Sequence, residues 1–62
     1  MSYGETLMLE RKKAGIYHKN LSKAINIKLH TLIDIEKERI EISTNEFDRI
    51  RQKIKDLSKD EN

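Results

Sequence analysis

The chain has 62 residues with 13 basic and 11 acidic side chains, no Cys, no Pro and two Gly. This length supports one domain at most, and such a domain buries only about 60% of the surface its unfolded chain exposes. Without Cys no disulfide or thiolate metal site can form, and His18 and His30, twelve apart, have no third ligand nearby for zinc.

No metal and no cofactor is therefore expected. Apolar runs reach two or three residues, far short of the roughly 20 that cross a bilayer. With no secretory leader in view either, the expected location is the cytosol and no membrane partner is expected. The net charge of +2 says little about nucleic acid. Its distribution says more. Glu10 to Lys23 holds five bases and one acid, Asp34 to Glu41 holds four acids and two bases, and Glu46 to Asn62 balances five against five. Positive potential is thus expected on the first half of the chain.

The first predicted helix runs from Gly4 to Ala14, with Leu7, Arg11 and Ala14 on one stripe and Tyr3 a turn earlier. Gly15 follows it as a natural left-handed terminator. A short second helix spans His18 to Ile25, its buried face marked by Leu21, Ala24 and Ile25. Asn26 then suits a left-handed turn position, and Ile27 should plug the corner. A third helix spans Leu29 to Lys37, with Leu32, Ile35 and Glu36 inward. Glu38 to Ile42 reads as a loop. Ser43 and Glu46 have capping-box spacing and open a fourth helix, Thr44 to Leu57, whose stripe is Phe47, Ile50, Ile54 and Leu57. Ser58 to Asn62 reads as a polar tail, leaving residues 1–57 as the domain.

Short helix, three-residue turn, short helix is the pattern of a helix-turn-helix. Its core would be Leu21, Ile25, Ile27, Leu32 and Ile35, with Ala24 or Ser22 small enough for the helices to cross closely. The expected fold is all-α, a small bundle of four helices, or five. The segments Leu9-Glu-Arg-Lys-Lys-Ala-Gly-Ile16, Leu21-Ser-Lys-Ala-Ile-Asn-Ile27 and Leu32-Ile-Asp-Ile-Glu36 resemble the Cro/C1-type (XRE-like) helix-turn-helix family of phage repressors and bacterial transcriptional regulators. The likeness covers Leu7 to Ile54. It implies a lambda-repressor-like bundle, often dimeric, with the third helix in the DNA major groove.

The resemblance also implies roles for particular residues. Arg11 and Glu36 stand where the family pairs a first-helix Arg with a Glu ending the third helix; both charges interrupt apolar stripes. His18 stands at the family's phosphate-contacting Gln. The groove-facing positions fall on Lys28, Leu29, His30, Ile33, Asp34 and Lys37. Lys28 and His30 there, with Thr31 beside them, offer hydrogen bonds to base edges, and Leu29 offers a contact for a thymine methyl. With Lys19 and the basic stretch on phosphates, the DNA-facing set is His18, Lys19, Lys28, Leu29, His30, Thr31, Asp34 and Lys37.

Departures from the family are specific. Tyr17 and Lys28 replace Ser or Thr caps, Glu38 replaces the Gly that ends the third helix, Ile42 replaces a common Pro, and the fifth helix is missing. Asp34, Glu38 and Glu41 put negative charge where DNA would approach. Leu29, Ile33, Ile40 and Ile42 offer apolar surface of the kind that marks a protein partner. Two functions follow: a DNA-binding regulator, dimerising through the fourth helix or the Ile40–Ile42 loop, or a protein-binding module such as an anti-repressor or an inhibitor of a host or phage protein. An enzyme is not expected, since no nucleophile–base pair is visible and short helices leave little room for a pocket.

Overall fold

The apolar stripes become α-helices in the computed structural model, which describes residues 2–59. Among these residues there are four helices and no strand: α1 (Tyr3–Ala14), α2 (His18–Ile25), α3 (Leu29–Glu36) and α4 (Thr44–Lys59). The all-α bundle is as expected, without the fifth helix that the family would allow. Boundaries shift slightly. The first helix begins at Tyr3 rather than Gly4, and the third ends at Glu36, with Lys37 as its cap residue. The fourth helix takes in Ser58 and Lys59, because neither Gly nor Pro stops it after Leu57. The helix thus covers the first two positions of the expected tail; positions 60–62 lie outside the described residues.

The core is Leu7 from α1, Leu21 and Ile25 from α2, Leu32 and Ile35 from α3, and Phe47, Ile50 and Ile54 from α4. Ala14, Ile16, Ile27, Ile42 and Leu57 pack around it, half-buried. Of the two small residues at the α2–α3 crossing, Ser22 is buried and Ala24 half-buried. The Ser22 hydroxyl is satisfied by donating to the Lys19 carbonyl at 3.0 Å, as a buried polar group requires. Tyr3 closes one end by stacking on Phe47, ring centroids 4.3 Å apart, with its hydroxyl 2.7 Å from Thr44 Oγ1.

The first three helices end in the same way. Gly15, Asn26 and Glu38 are left-handed, at φ of 73°, 61° and 67°. At each, paired backbone bonds close the helix: Gly15 N to Lys12 O and Ile16 N to Arg11 O, Asn26 N to Lys23 O and Ile27 N to Ser22 O, Glu38 N to Ile35 O and Arg39 N to Asp34 O. Glu38 is the unusual member, since a side chain other than Gly or Asn is strained there by about 1–2 kcal/mol. Its carboxylate offsets this by capping α1: Glu38 Oε2 accepts from the Glu5 amide at 2.8 Å and from the Ser2 hydroxyl. An anion at that helix terminus is favoured by the helix dipole.

This contact needs α1 close to the end of α3, and Gly4 permits it. A Cβ at Gly4 would collide with the Ile35 carbonyl oxygen and the Glu38 carboxylate. At the other junction, the Ser43 hydroxyl accepts from the Glu46 amide at 3.2 Å and opens α4. Arg49 bonds Glu46 at 2.8 Å and donates to the Ile25 carbonyl at 3.2 Å, tying α4 to the end of α2. The hydrogen bond from Arg49 holds the Glu46 carboxyl below its ordinary 4.5.

Gly4→Ala should lower stability by about 1–3 kcal/mol through overpacking against backbone that cannot yield. Tyr17, the cap residue of α2, makes no side-chain cap bond although its backbone is extended as a cap requires. Tyr17→Ser should therefore raise stability by about 1 kcal/mol. Thermal unfolding followed by circular dichroism reads both changes, at about 4–8 °C per kcal/mol for a domain of this size.

Candidate nucleic-acid interface

Arg11 and Glu36 meet in the interior with side chains 7% and 3% exposed. Arg11 Nε donates to Glu36 Oε2 at 2.8 Å and Nη2 to Oε1 at 3.1 Å. Nη1 donates to the Ile16 carbonyl at 2.8 Å. The guanidinium thus joins the middle of α1, the turn after it and the end of α3. His18, the first residue of α2, completes the group with Nε2 2.8 Å from Glu36 Oε1. One buried carboxylate therefore organises α1, α2 and α3. No buried side-chain nitrogen or oxygen among the described residues is left without a partner, which a buried charge demands.

Around this group lies a concave cleft of about 170 Å³, lined by Met8, Arg11, Lys12, His18, Ile33, Glu36 and Lys37. His18, one-third exposed, reaches it from α2. Lys12 and Lys37 are exposed beside it, and Lys19 is exposed one residue further along α2. On α3 and its cap, Lys28, Leu29, His30 and Lys37 are exposed, while Thr31, Ile33 and Asp34 are half-buried. His18, Lys12 and Lys37 thus share one concavity, and Lys28 and His30 sit at the other end of α3.

Three of the four acids near α3 are engaged within the fold. Asp34 lies 3.4 Å from Arg39. Glu36 is held by Arg11 and His18, and Glu38 turns to the N-terminus of α1. Glu41 lines a separate cleft with Ser2, Tyr3, Gly4, Glu38, Ile40 and Ile42. By contrast, every ion pair among the described residues is made by an Arg or by His18; Lys12, Lys19, Lys28 and Lys37 make none. Of the expected negative surface, Asp34 is paired with Arg39 and Glu38 is turned to the start of α1, while Glu41 stays exposed without an ion pair among the described residues; the unpaired charges on α2, α3 and the Lys12 edge of the cleft are lysines.

No family model, no curated protein and no solved structure matches the chain.

The expected apolar surface is divided. Leu29 is 43% exposed at the start of α3. Ile33 is half-buried in the cleft with Met8, while Ile40, exposed, and Ile42, half-buried against the core, line the other cleft. These four residues do not line one common cavity. An open surface groove of about 590 Å³ runs between α1 and α4, lined by Glu10, Lys13, Ala14, Arg51, Ile54, Lys55 and Ser58. No helix among the described residues is long and apolar enough to cross a membrane.

Two contacts were not read from the sequence. The His18–Glu36 bond joins positions 18 residues apart, and the Glu38 cap joins the α3–α4 connection to α1. A hint of the second lies in the missing Gly after Lys37.

Removing one partner of the buried pair, as in Arg11→Met or Glu36→Leu, should cost about 3–5 kcal/mol. The double variant should cost clearly less than the sum, because no uncompensated charge remains buried. Urea unfolding of the four proteins measures the coupling; strict additivity would contradict it.

Proposed function

We propose that this chain is a DNA-binding transcriptional regulator that lays α3 in the major groove of double-stranded DNA. The observation that carries this reading is the separation of charge around α2 and α3. The carboxylates of Asp34, Glu36 and Glu38 are turned to partners inside the fold, while Lys12, Lys19, Lys28 and Lys37 stay exposed and unpaired. A surface of free lysines whose neighbouring acids Asp34, Glu36 and Glu38 already have partners attracts a polyanion. The corner at Asn26 and Ile27 holds α2 and α3 as two separate short helices. The exposed Lys28, Leu29 and His30 occupy the N-terminal end of α3, the end that contacts base edges when a helix of this kind docks.

In this arrangement Lys12, Lys19 and Lys37 contact backbone phosphates and fix the register. Lys28, Leu29, His30 and Thr31 read the groove. Asp34, paired loosely with Arg39, stands at its edge. A domain this small gains specificity by binding as a homodimer to a two-fold site. A second reading, capture of a partner protein by the outer face of α3, draws on the exposure of Leu29 with Ile33 one turn away.

Binding to a random-sequence duplex should weaken steeply as salt rises from about 50 to about 200 mM, with a slope near −0.9 per phosphate contact. Lys19→Ala and Lys37→Ala should each reduce that slope by about one contact's worth. Lys28→Ala and His30→Ala should relax sequence preference, whereas Leu29→Ala and Ile33→Ala would abolish function if α3 captures a protein instead. Absence of DNA binding by the wild-type chain at low salt would overturn the DNA reading.

A further inference from the structure

The contact between His18 and Glu36 has a chemical consequence for any anion that enters the cleft beside it. An ionised carboxylate only accepts hydrogen bonds, and Glu36 Oε1 already accepts from Arg11 Nη2 at 3.1 Å. The proton in the 2.8 Å contact between His18 Nε2 and Glu36 Oε1 therefore sits on Nε2. In the neutral ring this leaves Nδ1 bare, as an acceptor. Among the described residues Nδ1 has no hydrogen-bond partner. Since no side-chain nitrogen there is both buried and unpartnered, and the ring is one-third exposed, Nδ1 is not sealed from solvent.

A phosphate oxygen is also an acceptor. It meets a lone pair at Nδ1 when the ring is neutral and an N–H donor when the ring is charged. We propose that His18 makes DNA binding proton-coupled, with one ring nitrogen anchored on Glu36 and the other donating to a backbone phosphate only after taking a proton from solvent. This inference rests on the DNA-binding reading and specifies how that site is regulated.

The charges around the ring fit such a step. From α1 come Arg11 and Lys12, from α3 Glu36 and Lys37, and Lys19 follows on α2 itself. Arg11 spends three of its five N–H donors on Glu36 and the Ile16 carbonyl, and with its side chain only 7% exposed it is held back from a phosphate. A phosphate seated between Lys12 and Lys37 offsets their charge beside the ring and favours the added proton. Each DNA-bound chain would take up one proton at this site, and binding would tighten as pH falls.

The test is the affinity for a fluorescent random-sequence duplex at fixed salt between about pH 8 and about pH 5.5. His30 is the other imidazole of the two in the chain, so the comparison is made with His30→Gln present. Affinity should rise on the order of tenfold on acidification, since one linked proton changes it by at most about tenfold per pH unit. His18→Gln, which offers an amide donor at every pH, should bind with little pH dependence.

Equal pH dependence with and without His18, or none in either, would overturn the proton coupling and leave DNA binding standing. No binding by the wild-type chain at any pH would overturn both. Should the His18 variant fail to fold, nitrogen-15 spectra of the wild-type imidazole decide the matter. Near neutral pH, DNA should convert His18 from the form protonated on Nε2 alone to the doubly protonated form. An unchanged ring would refute the inference.

Discussion

Arg11 and Glu36 form the contact on which the arrangement of the first three helices depends. Each charge lies on what would otherwise be the apolar face of its helix, and neither is tolerable in the interior alone. Together they satisfy one another through two hydrogen bonds, and a third donor of Arg11 closes the turn at Ile16. The apolar core decides that α1 and α3 meet, but it is non-directional and would allow them to slide. The fork of the guanidinium fixes their register, because both bonds form only when the two helices are correctly set. His18 adds the N-terminus of α2 to the same carboxylate.

A similar economy governs the other end of α3. Glu38 adopts a left-handed conformation that glycine would take more easily, and its side chain then reaches the start of α1. The strain of the turn and the capping of the helix are linked in one residue, and the close approach of α1 that Gly4 allows makes the link possible. A carboxylate that looks, in the linear chain, like an obstacle to a polyanion is spent inside the fold. Asp34 and Glu36 are likewise engaged, the first loosely and near the surface, the second in the interior. Under the DNA-binding reading, this is how a chain with almost balanced charge presents a positive face.

The helices that carry that face are weakly started. Neither Tyr17 nor Lys28 caps its helix with a side chain, so the first amide groups of α2 and α3 are left to water or to a ligand. The fold tolerates this because the C-terminal ends of α1, α2 and α3 are well closed and the core holds both short helices from one side. Stability withheld at a helix start is consistent with a surface that completes its bonding only on binding an anion.

Local rules determined much of this protein. The positions of the helices follow from apolar spacing, their ends from Gly15 and Asn26, and the start of α4 from Ser43 and Glu46, since each of these depends on residues within a turn or two of one another. The core residues from Leu7 to Ile54 were legible for the same reason. Arg11 and Glu36 stand out as charges on apolar stripes, although only their 2.8 Å contact shows what each faces. The capping of α1 by Glu38, the need for Gly4, the burial of Ile42, the bond from His18 to Glu36 and the groove between α1 and α4 were decided by tertiary structure alone. Each joins segments far apart in the chain, where direction and distance are set by how whole helices pack rather than by any neighbouring residue.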